Sequence, residues 1–360
     1  MATLSLHNLQ KTYGNFTAVN GVSLEVGQAE FIALLGPSGC GKTTMLRMIA
    51  GFIEPTAGRI VIGEHDVTAQ PPHRRNTGMV FQSYALFPHM TVAENVSFGL
   101  RMRRLGGAAI QARSLEALRL VQLDHLAARY PRELSGGQQQ RVAVARALVI
   151  QPDVFLLDEP LSNLDAKLRQ SVGMEMRALQ RNLGLTTVFV THDQNEALAL
   201  ADLLVLMNAG NIEQSGTAAE LYNRPASMFV ANFLGKANLL PGRVEADSTF
   251  VADAGISVRC DTSAWKPGAR AVLCLRPENV EVGAAVQADP RVNSFAGQCV
   301  QRTYLGSTTE YVVRLSGGAE ITATAPNRLT GGAHGESPID GSGTCAVNWD
   351  VEGALLMAEK

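Results

Sequence analysis

The sequence is poor in the features that mark disulfide-bonded, metal-binding or nucleic-acid-binding proteins. Its five cysteines, Cys40, Cys260, Cys274, Cys299 and Cys345, are odd in number and lack the spacing of metal ligands. A reducing compartment is therefore expected. Acidic and basic residues nearly balance, with a formal net charge of -2 and a pI near 6.4. This balance gives no electrostatic reason to expect a nucleic acid as partner.

Long hydrophobic runs are also missing. The longest apolar stretch, residues 197–207, is interrupted by Asp202 and is too short for a membrane-spanning helix. The first residues lack a basic segment followed by an apolar core, so we expect no signal peptide. Any membrane association is therefore expected to come from docking. The 360 residues exceed the usual size of one domain, which predicts two.

One glycine-rich segment fits the pattern G-x-x-x-x-G-K-[ST] at every fixed position. This segment, called the phosphate loop below, consists of Gly36, Pro37, Ser38, Gly39, Cys40, Gly41, Lys42, Thr43 and Thr44. An apolar run typical of a buried parallel strand precedes it, and helix-forming residues follow it. Its glycines allow backbone amides to face an anion, Lys42 can reach terminal phosphates, and Thr43 can offer a hydroxyl to Mg²⁺. The pattern predicts a nucleotide-phosphate site.

Three further apolar runs end in polar residues: Gln82, the pair Asp158 and Glu159, and His192. Since the carboxyl ends of parallel strands meet at one edge of a sheet, we expect these side chains to converge there. Asp158 is predicted to hold magnesium, and Glu159 to accept a proton from an attacking water. Taken singly, Gln82 could equally cap a strand end and His192 could be structural.

A second glycine-rich helix start, called the signature segment below, consists of Ser135, Gly136, Gly137 and Gln138. Ser135 suits a helix N-cap, and the two glycines leave amide groups open to an anion. Simple helix capping is the alternative interpretation, but capping does not require two glycines.

The phosphate loop, the signature segment and the acidic pair together resemble the nucleotide-binding subunits of ATP-binding-cassette (ABC) transporters, over residues 4 to about 240. The resemblance implies that Tyr13 stacks on adenine and that Gln82 senses metal and attacking water. It also implies that Glu159 is the catalytic base and that His192 stabilises the reacting state. The signature segment is expected to contact the γ-phosphate of ATP held by the opposite subunit.

A four-residue segment after the acidic pair resembles the family loop that crosses the dimer interface. This interface loop consists of Ser162, Asn163, Leu164 and Asp165. Alanine is the commoner residue at position 163, and we interpret Asn163 as a tolerated variant. The resemblance includes Asp165 among the residues expected to bind nucleotide across the dimer.

The expected fold class is α/β, a P-loop NTPase core with an antiparallel β subdomain and a helical subdomain at about 88–150. We place this ATPase domain at 1–235. Short alternating runs separated by Gly, Pro and Asp predict a small OB-like β-barrel at 236–360. Residues 276–278 and 304–306 resemble the C-terminal barrel of importer ATPases, a regulatory or dimerisation domain. The glycine-rich residues 331–343 match no motif.

The resemblance implies a homodimeric, MgATP-hydrolysing subunit at the cytoplasmic face of the bacterial inner membrane. Two integral-membrane permease subunits and a periplasmic or extracellular solute-binding protein are the expected partners, and residues 82–88 resemble the segment on which a permease docks. Residues 304–311 favour a polyamine cargo such as spermidine or putrescine. Ferric iron, 2-aminoethylphosphonate and sugars remain alternatives.

Three other classes compete with this interpretation. In one of them the C-terminal barrel makes the chain mainly a regulatory adaptor, which the sequence leaves open. Another is a soluble cassette ATPase of DNA repair or translation, but such proteins carry long coiled-coil insertions or two cassettes in one chain, and neither is visible in this sequence. The third is a small-molecule phosphoryl transferase, which would not need the signature segment or His192.

The expected trans action of the signature segment gives a first prediction. Ser135→Arg should leave ATP binding by the isolated subunit intact, because the phosphate loop is untouched, but should block ATP-driven dimerisation and turnover. Nucleotide titration, gel filtration with MgATP and phosphate release measure these properties separately. A variant that dimerises and hydrolyses ATP normally would show that the site is not shared between subunits.

Overall fold

The computed structural model describes residues 2–246, 248–327, 339 and 343–359, excluding the side chain of Ala166. The glycine-rich residues 331–343 therefore lie almost entirely outside the described residues. The chain divides into two units, Met1–Glu220 and Leu221–Lys360. In the described ranges no helix is both long enough and apolar enough to span a bilayer.

The first unit contains two sheets. Its strands are β1 (Leu4–Tyr13), β2 (Phe16–Val26), β3 (Phe31–Leu35), β4 (Ala57–Ile62), β5 (His65–Asp66), β6 (Thr77–Val80), β7 (Val154–Asp158), β8 (Thr186–Val190), β9 (Leu203–Asn208) and β10 (Asn211–Gly216). One sheet is antiparallel with the order β2-β1-β4-β5. The other has the order β10-β9-β3-β8-β7-β6 and is parallel except for β10. These sheets confirm the predicted core and its antiparallel subdomain.

The parallel strands next to the phosphate loop are buried along their whole length. Every residue of β3, β7 and β8 is buried, as their continuous apolar sequences predict for strands covered on both faces. In register, Leu34 of β3 lies beside Val190 of β8, and Asp158 of β7 lies on the other side of Val190. The ends of these strands therefore lie side by side, where the predicted site residues follow them.

Six helices accompany these sheets: α1 (Lys42–Ala50), α2 (Val92–Met102), α3 (Gly107–Leu120), α4 (Gly136–Leu148), α5 (Ala166–Leu183) and α6 (Gln194–Leu200). Helices α2, α3 and α4 occupy the range predicted for the helical subdomain. A capping box formed by Thr91 and Glu94 begins α2, and one formed by Ser135 and Gln138 begins α4.

The second unit carries two antiparallel five-stranded sheets around one core. Its remaining elements are α7 (Ala218–Asn223), which begins just before it, α8 (Met228–Phe233), β11 (Asn238–Val244), β12 (Thr249–Ala252), β13 (Ser257–Arg259), β14 (Arg270–Leu275), β15 (Glu281–Gly283), β16 (Val292–Tyr304), β17 (Thr308–Leu315), β18 (Glu320–Pro326), β19 (Thr344–Asp350) and β20 (Ala354–Met357). Within the described residues the sheet orders are β13-β12-β11-β14-β20 and β15-β19-β16-β17-β18. Phe250, Tyr311 and Trp349 lie in their shared core, as a small barrel requires.

Residues between Leu221 and the domain boundary at 235, which stays a prediction, contact the barrel. Arg276, on the barrel side, donates hydrogen bonds to the carbonyl oxygens of Tyr222, Ala231 and Lys236 at 2.8, 2.8 and 3.0 Å. Ala231 of α8 also packs against Val272 of β14. Residues from 221 onward therefore belong with the barrel, although in sequence they look like the end of the ATPase domain.

A buried arginine holds the C-terminal end of α1, the helix that follows the phosphate loop. Arg75 is 3% exposed and donates to the carbonyl oxygens of Met48 and Ile49 in α1, at 2.5 and 2.8 Å. It also donates to Thr68 and Gln70, both at 2.8 Å. Burial lowers the pKa of Arg75 from its usual value, opposed by the charge of Asp66. This one side chain thus donates to carbonyls in the last turn of the helix, where the Met48 carbonyl also accepts from the Gly51 N–H at 3.1 Å.

We predict that Arg75→Met destabilises the first unit by about 3 kcal/mol or more, because several buried carbonyls lose their donor. Thermal unfolding measures the loss. Arg129→Met is the matched control: Arg129 is 58% exposed and forms an i,i+4 ion pair with Glu133 at 3.7 Å. Its replacement should cost less than about 1 kcal/mol. Equal effects of the two substitutions would contradict the role assigned to Arg75.

Candidate active site

The phosphate loop adopts a conformation that only glycine permits at two positions. Gly36 and Gly41 have φ values of +148° and +106°. A Cβ on Gly36 would lie 2.2 Å from the Met207 carbonyl oxygen, and one on Gly41 would lie 2.4 Å from the Ala18 carbonyl oxygen. Gly41 is also the N-cap of α1 and has no side chain with which to cap it. No side chain of the N-cap residue therefore occupies the N–H groups of the first helical turn, an arrangement suited to an anion.

Lys42 lies inside the loop and is 6% exposed. Its Nζ donates to the carbonyl oxygens of Gly36 and Pro37 at 2.6 and 3.0 Å, and lies 3.6 Å from Cys40 Sγ. The loop's own carbonyls therefore hold the ammonium group among the residues predicted to surround the phosphates.

Thr43 and Asp158 meet beside the loop. The Thr43 hydroxyl donates to Asp158 Oδ1 at 3.1 Å, and Arg47 Nη2 lies 3.8 Å from Asp158 Oδ2. Burial raises the pKa of Asp158, while the hydrogen bond from Thr43 and the charge of Arg47 oppose that rise. A hydroxyl and a carboxylate are hard oxygen donors suited to Mg²⁺. Arg47 was not singled out from the sequence, because a basic residue in a helix carries no motif.

Glu159 is the centre of the predicted catalytic group. Gln82 Nε2 donates to Glu159 Oε2 at 3.0 Å, and His192 Nδ1 lies 3.2 Å from the same oxygen. The Glu159 N–H donates to the Val190 carbonyl at 3.1 Å, which joins the ends of β7 and β8. Glu159 has a φ of +45°, a left-handed conformation that is unfavourable for a residue with a side chain. The convergence expected from the strand ends is thus present in the structure.

The signature segment forms a capping box at the start of α4. Gln138 Oε1 accepts from the Ser135 N–H at 2.9 Å, and Ser135 Oγ accepts from the Gln138 N–H at 3.4 Å. A Cβ on Gly137 would come within 3.2 Å of Leu168 Cδ2, a tight contact that the leucine side chain would have to relieve by a small shift. A Cβ on Gly136 would meet only an ordinary contact at 3.7 Å. Packing within the chain therefore does not require glycine at position 136.

The interface loop contacts the catalytic group within the same chain. Ser162 Oγ donates to the Glu159 carbonyl at 2.9 Å, and Asn163 Nδ2 donates to the Gln82 carbonyl at 2.7 Å. Alanine at position 163 could not form the second bond, so Asn163 has a contact that its interpretation as a tolerated variant missed. Asp165 is the N-cap of α5 and accepts from the Leu168 N–H at 3.0 Å.

Tyr13 lies at the end of β1, paired with Phe16 across the hairpin. Its side chain is 47% exposed, and Lys11 Nζ lies 5.1 Å from the ring centroid. An exposed aromatic ring at this position remains available for stacking. The hydrogen bonds of the catalytic group do not include Tyr13, so its role as an adenine contact stays a prediction.

Comparison with protein families places this site in context. The ABC transporter family matches residues 19–162, and the TOBE domain family matches residues 273–352. The chain is 45% identical over 362 residues to the spermidine/putrescine import ATP-binding protein PotA of Thermobifida fusca, covering 98% of this chain and 93% of that protein. The chain belongs to the ATP-binding subunits of ABC transporters.

Other relatives of this ABC subunit differ in the cargo that they are named for. It is 44% identical over 365 residues to PotA of Nitrosomonas eutropha, with both chains fully covered. It is 50% identical over 313 residues to the Fe(3+) ions import ATP-binding protein FbpC of Rhizobium etli, covering 86% of this chain and 87% of that protein.

A solved structure supports the same assignment for the ABC core. It is the dimeric, post-hydrolysis ATP-binding cassette MJ0796 bound to ADP and Pi, 34% identical, with a TM-score of 0.53 over 60% of this chain and 98% of that one. Together with the family match, this confirms the ABC-type ATPase predicted from the sequence.

We predict that Lys42→Ala abolishes hydrolysis and sharply weakens nucleotide binding by this ABC subunit, because it removes the cation that the loop holds for the phosphates. Nucleotide titration and phosphate release test both effects. Lys266→Ala, at an exposed lysine of the second unit, is the control and should behave as wild type. Wild-type hydrolysis by the Lys42 variant would falsify the site.

We predict that substitutions of the two adjacent carboxylates impair different steps. Glu159→Gln removes a proton acceptor but keeps its shape, so binding should survive while the rate falls by about 10²- to 10⁴-fold and ATP persists in a closed dimer. Asp158→Asn should instead weaken magnesium-dependent binding itself. Gel filtration with MgATP alongside phosphate release separates the two. If Glu159→Gln stays monomeric with ATP, or hydrolyses at an undiminished rate, another group activates the water.

Proposed function

We propose that this chain is the ATP-hydrolysing subunit of a binding-protein-dependent importer of polyamines, acting as a homodimer on the cytoplasmic face of the inner membrane. The observation that carries the hydrolytic part is the position of Glu159. Its carboxylate contacts both Gln82 and His192 and adjoins Asp158, which is bonded to Thr43 of the phosphate loop.

In the proposed mechanism the phosphate loop binds the ATP phosphates through its backbone N–H groups. Lys42 exchanges the carbonyls of Gly36 and Pro37 for phosphate oxygens, a change of partner within a site that already encloses it. Thr43 and Asp158 would hold magnesium, which when bound neutralises charge on the transferring phosphoryl group. Their oxygens are close enough to share one ion, since they already form a hydrogen bond.

Glu159 then accepts a proton from the attacking water. Gln82 and His192 both lie against Oε2 of this carboxylate, which restricts its rotation and orients it. The strained backbone of Glu159 and the hydrogen bond from its N–H to the Val190 carbonyl fix the position of its Cα, from which the side chain extends. Tyr13 contributes base stacking from the antiparallel sheet, a contact suited to an exposed aromatic ring.

We propose that two copies of the chain share each ATP. The exposed Gly136 at the N-terminus of α4 offers an amide to the γ-phosphate held by the partner, and Asp165 lies on the loop that crosses between copies. A dimeric cassette among the related solved structures supports this arrangement. The barrel unit is proposed to regulate or stabilise the dimer.

Docking to two permease subunits is proposed to involve residues 82–88. Arg146 of α4 donates to the carbonyl oxygens of Tyr84 and Ala85 at 2.7 and 2.6 Å, and both of those residues have positive φ. This segment is therefore held in an unusual backbone conformation by the helix that begins with the signature segment. The segment begins at Gln82 and ends where the helical subdomain begins. Docking on this segment can therefore displace Gln82 and so influence the catalytic group.

The proposed cargo follows the relatives that match over the whole chain. PotA proteins of Thermobifida fusca and Nitrosomonas eutropha align across 98% and 100% of it, and their names specify spermidine and putrescine. The FbpC relative is more identical, at 50%, but covers 86%. Because the FbpC relative is named for the import of Fe(3+) ions, ferric iron is the second candidate cargo.

Reconstitution decides between them. The ATPase is assembled with its permease and a solute-binding protein in liposomes, and phosphate release is measured with spermidine, putrescine or ferric iron. Stimulation by the two polyamines alone is expected. Stimulation only by iron would transfer the assignment to the second candidate, and hydrolysis unaffected by any cargo or binding protein would contradict an importer.

A further inference from the structure

Arg169, in the first turn of α5, contacts three residues in two parts of the first unit, the interface loop and the start of α6. Its Nη2 donates to the Leu164 carbonyl of the interface loop at 3.0 Å. Its Nη1 lies 3.4 Å from Asp193 Oδ2, and its Nε lies 3.6 Å from Glu196 Oε1. We propose that Arg169 is a positioning residue for ATP hydrolysis, which holds the segment carrying His192 in register with the interface loop.

Both neighbours of His192 in the chain belong to a hydrogen-bond network that includes the two carboxylates contacted by Arg169. Thr191 Oγ1 donates to Glu196 Oε2 at 2.6 Å and accepts from the Asp193 N–H at 3.0 Å. Asp193 is in turn the N-cap of α6, where Oδ1 accepts from the N–H groups of Asn195 and Glu196 at 2.8 and 3.2 Å. The backbone on each side of His192 is thus tied to the two carboxylates that face Arg169.

The charges of this network depend on the guanidinium. Asp193 and Glu196 lie one turn apart at the start of α6, and burial raises the pKa of Glu196. Arg169 places one positive charge between these two carboxylates. Without it they would repel each other, and the turn that carries His192 would relax away from its present position.

The same guanidinium links this turn to the loop that adjoins Glu159. Ser162, in that loop, donates to the Glu159 carbonyl, while Arg169 holds the Leu164 carbonyl two residues further on. His192 and Glu159 are 3.2 Å apart at their polar atoms, a distance that a small displacement of either segment would change. Arg169 therefore controls this distance without touching the nucleotide site itself.

The proposal rests on the hydrolytic roles of His192 and Glu159 given under the proposed function. Arg169→Met should lower kcat by about 10- to 100-fold, because misplacing a catalytic group by about 1 Å costs this much. The KM for ATP and the nucleotide affinity measured by titration should stay within about two-fold of the wild-type values, since the phosphate loop is untouched. Arg169→Lys keeps the charge but loses the planar fork, so its kcat should fall between those of wild type and the Met variant.

Arg141→Met is the matched control. The Arg141 side chain is 28% exposed, as is that of Arg169, and it forms an ion pair with Glu175 of α5 at 2.5 Å. The substitution therefore removes an arginine of equal exposure that also contacts α5, and it leaves the turn that carries His192 unchanged. Its kcat should remain within about two-fold of wild type.

A double-mutant cycle with His192→Ala distinguishes positioning from general destabilisation. If Arg169 acts through His192, then Arg169→Met should change kcat by no more than about two-fold once His192 is alanine. Thermal unfolding of each variant is recorded, and Arg169→Lys carries the same cycle if the Met variant does not fold.

Two results would overturn the positioning role alone: an equal kcat loss from the Arg169 substitution in both backgrounds, or a wild-type kcat for Arg169→Met. A His192→Ala variant with undiminished hydrolysis would instead contradict the role of His192 in the proposed function, and the positioning role with it. A kcat loss confined to the background that retains His192 supports the proposal.

Discussion

The parallel alignment of three buried strands is the constraint on which the rest of this structure depends. β3, β7 and β8 are buried along their length and lie in register, so the residues that follow them emerge side by side. The phosphate loop, the acidic pair and His192 follow these strands in turn. Because the strands are covered on both faces, a shift of one of them would expose apolar surface, and the position of the site is held by the same burial that stabilises the sheet.

Within this frame, two adjacent carboxylates acquire different chemistry from their surroundings. Asp158 is the last residue of β7, is 4% exposed and faces Thr43 and Arg47. Glu159 lies just beyond the strand with a reversed φ, so its side chain points to Gln82 and His192 instead. One residue of chain and one change of backbone conformation thus separate the carboxylate proposed to hold magnesium from the one proposed to accept a proton.

The contacts around the interface loop show how segments predicted to act between subunits are tied to the site within one subunit. Ser162 and Asn163 join this loop to the backbone of Glu159 and Gln82, and Arg169 joins it to the carboxylates at the start of α6. Their bonds run to backbone carbonyls and a carboxylate at distances of 2.7 to 3.4 Å. The contacts within this subunit do not identify the cargo, since the cargo does not contact this subunit in the proposed assembly.

The sequence by itself determined the type of fold and which side chains converge at one edge of the parallel sheet, because both depend on local patterns. A glycine spacing, continuous apolar runs and a polar residue after each run are sufficient to predict a phosphate loop and a converging strand edge. Only the tertiary structure decided which other side chains hold the site residues and the helix after the phosphate loop in place. Arg47, Arg75 and Arg169 contact partners distant in the chain or on other elements, and Gly137 packs closely against a leucine of another helix. Such contacts depend on how elements pack in three dimensions, and an isolated arginine or glycine in a sequence carries no periodic signal of its partner.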